Sequence, residues 1–160
     1  MKNVNKILAI LILSLLILPP ASFALDVGDQ APGFTANSTL GEVSLADYAG
    51  KKNVVLPLYF AVFTSVWASE LGEFQRDLEE FEKLNAQIIG VSGDDMETLH
   101  EFVKEKGIGF PLVTDATNEI KANYGRGRVT YLIDKEGIIR FIQKGVPNNK
   151  DFIEQLKALQ

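Results

Sequence analysis

The chain contains no cysteine in its 160 residues. That absence excludes disulfides, thiolate nucleophiles, thiolate metal ligands and a lipid-modified cysteine. Histidine is nearly absent as well. His100 is the only one, and a single histidine does not make a metal site. An excess of basic charge is lacking. The 16 basic residues face 21 acidic ones, for a net charge of −5. Such a balance argues against nucleic acid or an anionic lipid surface as partner. Internal repeats and low-complexity tracts are missing too. Without disulfides, stability must come from a packed core, and the length suffices for one domain with such a core.

The N-terminus reads as a targeting segment. Lys2 and Lys6 supply positive charge, and Ile7 to Leu18 is an apolar run of twelve residues. This run is too short to span a bilayer comfortably. Pro19 and Pro20 break it, and Ser22 and Ala24 offer the small residues of a cleavage site. Residues 1–24 are therefore expected to be a secretory signal, and residues 25–160 the exported domain. The competing reading is an uncleaved anchor. Removal of Lys2 and Lys6 leaves 14 basic against 21 acidic residues, a net charge of −7. The product is expected in a periplasmic or extracellular space, with no membrane attachment after cleavage.

Hydrophobic spacing sets the elements. Residues 25–39 read as an extended lead-in, kept from helix by Pro32. "STLGEVSLADY" suggests a turn at Gly41 and a short strand. "NVVLPLYF" (53–60) is a continuous apolar run suited to a strand buried on both faces. Trp67, Leu71, Phe74, Leu78 and Phe81 recur at helical spacing and predict one long helix, capped by Thr64 or Ser65. "AQIIGVS" is the next buried strand. "DDMETLHEFVKEKG" predicts a second helix, with Asp94 and Glu97 at capping-box spacing and Gly107 as its stop. "FPLVTD" is a strand, and "ATNEIKANYG" a short helix. "VTYLIDKEGIIRFIQKG" is a hairpin around Gly137. "NKDFIEQLKALQ" closes the chain as a helix with Phe152, Leu156 and Leu159 on one face. Alternating buried strands and helices imply an α/β three-layer sandwich, a mixed central sheet with helices on both faces. This order is that of a thioredoxin-like fold.

Four stretches carry a more specific likeness. They are "VGDQAPGFTANSTLGEVSLADYAGK", "LYFAVFTSVWASE", "GVSGDDMETLHEFVKEKGIGFPLVTD" and "RVTYLIDKEGIIR". Together they cover nearly all of residues 25–160. The chain resembles the peroxiredoxins of the alkyl hydroperoxide reductase and thiol-specific antioxidant group. The second stretch resembles that family's active-site segment, PxxxTxxC. By this resemblance Thr64 matches the family threonine, Glu70 the acidic residue after the cysteine, and Arg128 the arginine. Ala61 is read in place of the proline, and Trp67 stands where the peroxidatic cysteine would be. A sister reading, thioredoxin-like oxidoreductases with "WASEL" as a ruined W-C-x-x-C, ranks lower. Those proteins carry a cis-proline before the strand that here opens with Arg128.

The resemblance implies a thiol peroxidase, and the residues oppose it. Peroxide reduction needs a thiolate, activated by a helix N-terminus and a nearby cation. Indole offers one N–H donor and no nucleophilic lone pair. Ser65 and Ser69 do not become peroxide nucleophiles at neutral pH. The site is thus read as degenerate, with Trp67 at the cysteine position and Thr64, Glu70 and Arg128 surviving. Trp67 reads as filler of the former pocket, or as an aromatic platform for an apolar ligand. Arg128 reads as a structural partner of Glu70, or as half of an anion pocket with the helix N-terminus. His100 reads as a structural or surface residue, and Arg126 as solvated. Asp94, Asp95 and Glu97 read as helix capping, without the spacing of a calcium loop. No cofactor or metal is expected.

Three functions compete. One is a non-catalytic binding or structural protein with an unidentified protein partner. Another is a family-type oxidoreductase by descent, with residual or altered chemistry. The third is a carrier of a small apolar or anionic ligand. The resemblance also allows a homodimer.

Overall fold

The computed structural model describes residues 24–125 and 127–160. The expected signal segment, apart from Ala24, and Arg126 lie outside the described residues.

The central strand forms where the apolar run predicts. β3 (Asn53–Tyr59) is buried along its whole length. β1 (Thr35–Ser38) and β2 (Gly41–Ser44) precede it, followed by a 3-10 turn at Leu45–Tyr48. After β3 come α1 (Ser65–Arg76), α2 (Leu78–Lys83), β4 (Ala86–Ile88), β5 (Gly90–Ser92) and α3 (Met96–Lys106). Then follow β6 (Leu112–Thr114), α4 (Glu119–Tyr124), β7 (Val129–Ile133), β8 (Ile139–Lys144) and α5 (Asn149–Lys157). The sheet runs β2-β1-β6-β5-β3-β7-β8, with β4 also on β3. β5 lies parallel to β3 and β6, while β7 is antiparallel to β3 and β8 to β7. The sheet is therefore mixed. β4 and β5 are two parts of one crossing, joined where Ile89 donates its N–H to the Val55 carbonyl at 2.9 Å.

The period-two alternation of β3 splits the core in two. Val55 and Tyr59 face one layer, with Leu71, Phe74, Phe81, Phe102 and Phe152. Val54, Leu56 and Leu58 face the other, with Leu45, Ile120, Tyr124 and Tyr131. Phe74, Phe81, Phe102 and Phe152 are fully buried. Each such side chain contributes roughly 1.5–3 kcal/mol by its burial. Helices on both faces of the mixed sheet complete the three-layer sandwich.

Several local expectations need correction. "STLGEVSLADY" does not follow a lone turn. It is the second half of a β1–β2 hairpin, with Ser38 paired to Gly41. The long helix is bent into α1 and α2 at Asp77. Asp77 accepts a hydrogen bond from Asn149 Nδ2 at 2.7 Å and lies 3.2 Å from Arg76 Nε. The apolar stripe continues through the bend, because Leu71, Phe74 and Phe81 still face inward. Asp95, not Asp94, caps α3 and accepts from the Thr98 N–H at 2.8 Å. Gly107 ends α3 in the left-handed conformation, at φ 66° and ψ 39°, as its position predicts. Gly137 turns the β7–β8 hairpin at φ 80°. Among the described residues no helix is long and apolar enough to cross a membrane.

Candidate functional site

The site is built where β3 ends and α1 begins. Phe60–Thr64 bridges the two, and α1 starts after Thr64. The bridge is anchored from below. Asp94 accepts from the Val62 N–H at 2.7 Å and from Ser92 Oγ at 2.6 Å. Asp94 thus serves this loop rather than α3. Thr64 occupies the N-cap position, yet its side chain makes no capping bond. Its hydroxyl donates instead to the Ala61 carbonyl at 3.4 Å.

Trp67 lies in the first turn of α1 and is half-buried. Its ring meets Tyr59 edge-on, with centroids 6.4 Å apart, and tilts against Phe60 at 6.0 Å. The Arg128 guanidinium carbon stands over the ring, 5.9 Å from its centroid. This is within cation–π range. Arg128 also reaches Glu70 one turn along α1, with Nη2 to Oε1 at 3.2 Å. Glu70 is buried, while the Arg128 side chain is about one-quarter exposed at 26%. Tyr59, Trp67, Glu70 and Arg128 therefore form one cluster under the loop.

The electrostatics of the cluster follow from burial. Burial pushes the Glu70 carboxyl above its ordinary pKa, Arg128 pulls it down, and Glu73 adds to the rise. Burial likewise raises the Tyr59 phenol well above its usual range, and the Glu70 charge adds to this against Arg128. The Tyr59 hydroxyl, the Trp67 Nε1 and both Glu70 oxygens are buried with no hydrogen-bond partner among the described residues. The Glu70–Arg128 contact is an ion pair in distance but not an aligned N–H···O bond. The cluster holds a cation, a carboxylate and two aromatic N–H or O–H donors. It holds nothing that can attack an O–O bond.

Ser65 and Ser69 are exposed on α1. His100 is exposed on α3. No group of three or more histidine or carboxylate side chains is placed to hold a metal ion among the described residues. Counting back from Thr64 in PxxxTxxC puts the proline position at Phe60 rather than Ala61. Phe60 is 74% exposed, and Phe63 and Val66 beside it are 47% and 49% exposed. The loop therefore presents an apolar surface that helical spacing did not foretell.

Two participants were not singled out from the sequence. Tyr59 sits inside an apolar run, where its hydroxyl was the only hint. Lys121 is buried at 8% exposure, and its Nζ has no hydrogen-bond partner among the described residues. A Cβ added at Gly93 would stand 2.8 Å from that Nζ and 3.0 Å from the Phe60 carbonyl, so the amine lies beneath the same loop. Burial lowers the Lys121 pKa, and Asp115 and Asp94 oppose the shift. Its signal was a lysine next to the buried stripe of Ile120 and Tyr124 on α4.

The mixed sheet flanked by helices, with this arginine–carboxylate pair at the start of α1, defines a thioredoxin-like fold. Residues 27–142 match the AhpC/TSA family, and the chain belongs to that peroxiredoxin family. It is 38% identical over 157 residues to the chloroplastic 2-Cys peroxiredoxin BAS1 of Hordeum vulgare, covering 84% of this chain and 73% of the relative. Peroxiredoxin Q of Oryza sativa subsp. japonica is 33% identical over 144 residues, covering 83% of this chain and 66% of the relative. The chain spans only half the length of the matching BAS1 proteins of Spinacia oleracea and Arabidopsis thaliana. Among solved structures, the reduced 2-Cys peroxiredoxin of Plasmodium vivax superimposes with a TM-score of 0.78 at 29% identity, covering 84% of this chain and 81% of that one. Peroxidoxin BcpB of Mycobacterium tuberculosis shares the fold, with a TM-score of 0.79 at 22% identity over 85% of this chain and 99% of that one.

Proposed function

We propose that this is an exported, degenerate peroxiredoxin that acts through binding and not through a thiol peroxidase cycle. The observation that carries this reading is Trp67, which falls where the motif spacing expects the cysteine, in contact with Tyr59 and Arg128. A family site with no cysteine anywhere in the chain has no thiolate to run a thiol peroxidase cycle. Survival of Thr64, Glu70 and Arg128 fits descent from an enzyme whose frame now serves packing. The exposed Phe60, Phe63 and Val66 supply apolar surface beside the former site, which favours a protein partner over a solvated loop.

Mixing with hydrogen peroxide or an alkyl hydroperoxide, with dithiothreitol or thioredoxin as reductant, should give no consumption above the reductant's own background. A protein-dependent rate well above that background would overturn the reading. Export is supported by the basic, apolar and small-residue succession of residues 1–24. Intact-mass measurement on the same material should show those residues lost. A mass retaining Met1 to Ala24 would refute cleavage.

A further inference from the structure

An open cavity of about 980 Å³ lies on the face of the sheet away from α1. Its size is at the upper end of ordinary small-molecule sites. Three segments wall it: the N-terminal stretch from Ala24 to Val27, the end of α4 with Gly125, and the β7–β8 hairpin. The floor follows from strand register. Val129 pairs with Lys144 and Tyr131 with Ile142, so these four side chains project from one face. Leu25 and Val27 add apolar wall, and Val27 is 60% exposed.

The polar atoms of the cavity are unevenly disposed. The Tyr131 hydroxyl donates to the Tyr124 carbonyl at the end of α4, and the Tyr124 hydroxyl donates to the Pro32 carbonyl at 2.6 Å. Both tyrosines are buried behind the lining and keep their hydroxyls engaged within the protein. The charge is concentrated where the hairpin opens. Arg128 and Lys144 both line the cavity there, and the Gly145 N–H donates to the Arg128 carbonyl at 3.0 Å, which holds the two ends together. Among the described residues Lys144 forms no ion pair. Among the described residues the one carboxylate in the lining is Asp26, on the exposed turn of the N-terminal wall.

We infer that this cavity binds a free amphipathic anion, an apolar chain ending in a carboxylate, with the chain along Val129, Ile142, Leu25 and Val27 and the carboxylate at Arg128 and Lys144. Lys144, with no ion pair among the described residues, and Arg128, whose guanidinium also pairs with Glu70, stand at one end of an apolar trough and are the complement of such a molecule. The inference stands on this cavity, whose N-terminal wall begins at Leu25 after the proposed cleavage, and does not depend on the peroxidase reading. The peroxide assay and the binding assay therefore fail independently of each other.

Trp67 is the only tryptophan, and Arg128 both lies over its ring and lines the cavity. Its fluorescence reports on the arginine. The full chain, purified as the cell processes it, is titrated with laurate, with dodecanol and with dodecylamine, by Trp67 fluorescence and by calorimetry. Laurate should bind saturably and at least about tenfold more tightly than the other two, tenfold being about 1.4 kcal/mol. Lys144→Glu should weaken laurate binding by about tenfold or more, within the range for a hydrogen bond to a charged group. Val27→Asp, also at an exposed position, should weaken it in the same direction. Lys150→Glu, an equal charge change on α5 outside the cavity, should leave it unchanged. Absence of saturable binding, equal affinity for laurate and dodecanol, or full laurate affinity in Lys144→Glu would overturn the assignment. Sedimentation with phosphatidylglycerol vesicles without binding of free laurate would overturn it in favour of a lipid surface.

Discussion

Trp67→Ala should lower the unfolding free energy by about 2–3 kcal/mol. Truncating a large aromatic in a core costs roughly 3–5 kcal/mol, through lost transfer free energy and the cavity left behind. Two features of this site reduce that figure. Trp67 is half-buried, so part of its ring is already in contact with water. Its Nε1 is buried without a partner, and removing such a donor returns part of its desolvation cost, about 1–3 kcal/mol. What remains is the loss of contact with Tyr59, Phe60 and Arg128. In a domain of this size the loss should appear as a Tm lower by roughly 10 °C. Chemical denaturation followed by circular dichroism measures it without the missing fluorophore. A change below about 0.5 kcal/mol, the scale of ordinary surface substitutions, would show that the indole does not fill the site.

Trp67→Cys should return a reactive thiol but not an efficient enzyme. The new thiol would stand in the first turn of α1, where the helix dipole favours the thiolate. Arg128 lies on the same side and adds positive charge. Against these act the buried Glu70 carboxylate, which already holds Arg128, and the burial of the site itself. The thiol pKa should therefore fall below its ordinary value of about 8.5 by less than in dedicated thiol enzymes, whose values reach about 3.5–7.5. Peroxide should convert it once, slowly, to a sulfenic acid, seen by intact mass. No second cysteine exists to resolve that product, and Phe60 stands at the motif's proline position. Thiolate absorbance against pH checks the first part. A pKa above 8.5 with no oxidation would show that Arg128 serves only Glu70. Fast turnover would show that the site had lost its cysteine and nothing else.

The outline of the fold was legible because burial leaves a local trace. The run from Asn53 to Tyr59 has no polar face, and it is the central strand. Gly107 and Gly137 sit where a glycine can end a helix or turn a hairpin with positive φ, and both adopt one. What was not legible depends on partners far along the chain. The bend at Asp77 is tied to Asn149, 72 residues away, while the apolar stripe that predicted one helix runs on undisturbed. Asp94 and Asp95 are indistinguishable as caps by spacing. Asp94 is diverted because the Val62 N–H needs an acceptor.

The site divides in the same way. Motif spacing brings Trp67, Glu70 and Arg128 to notice, and the structure places all three in one cluster. Thr64 is at its N-cap, but its hydroxyl turns to Ala61. Tyr59 and Lys121 were hidden, because which face of β3 meets α1, and what lies below the loop, are settled by tertiary packing. The cavity beside Arg128 could not be anticipated either. It needs the β7–β8 register and the path of the N-terminal wall, and neither leaves a mark in local periodicity.

The claim beneath all of this is that one indole occupies the place of the family's thiol. The single tryptophan makes that directly measurable by acrylamide quenching of the parent protein. Trp67 should be quenched several-fold less efficiently in the folded chain than in guanidinium, with the difference vanishing as the protein unfolds. Quenching in the folded protein equal to that of the denatured chain would place the ring in solvent and contradict the filled site.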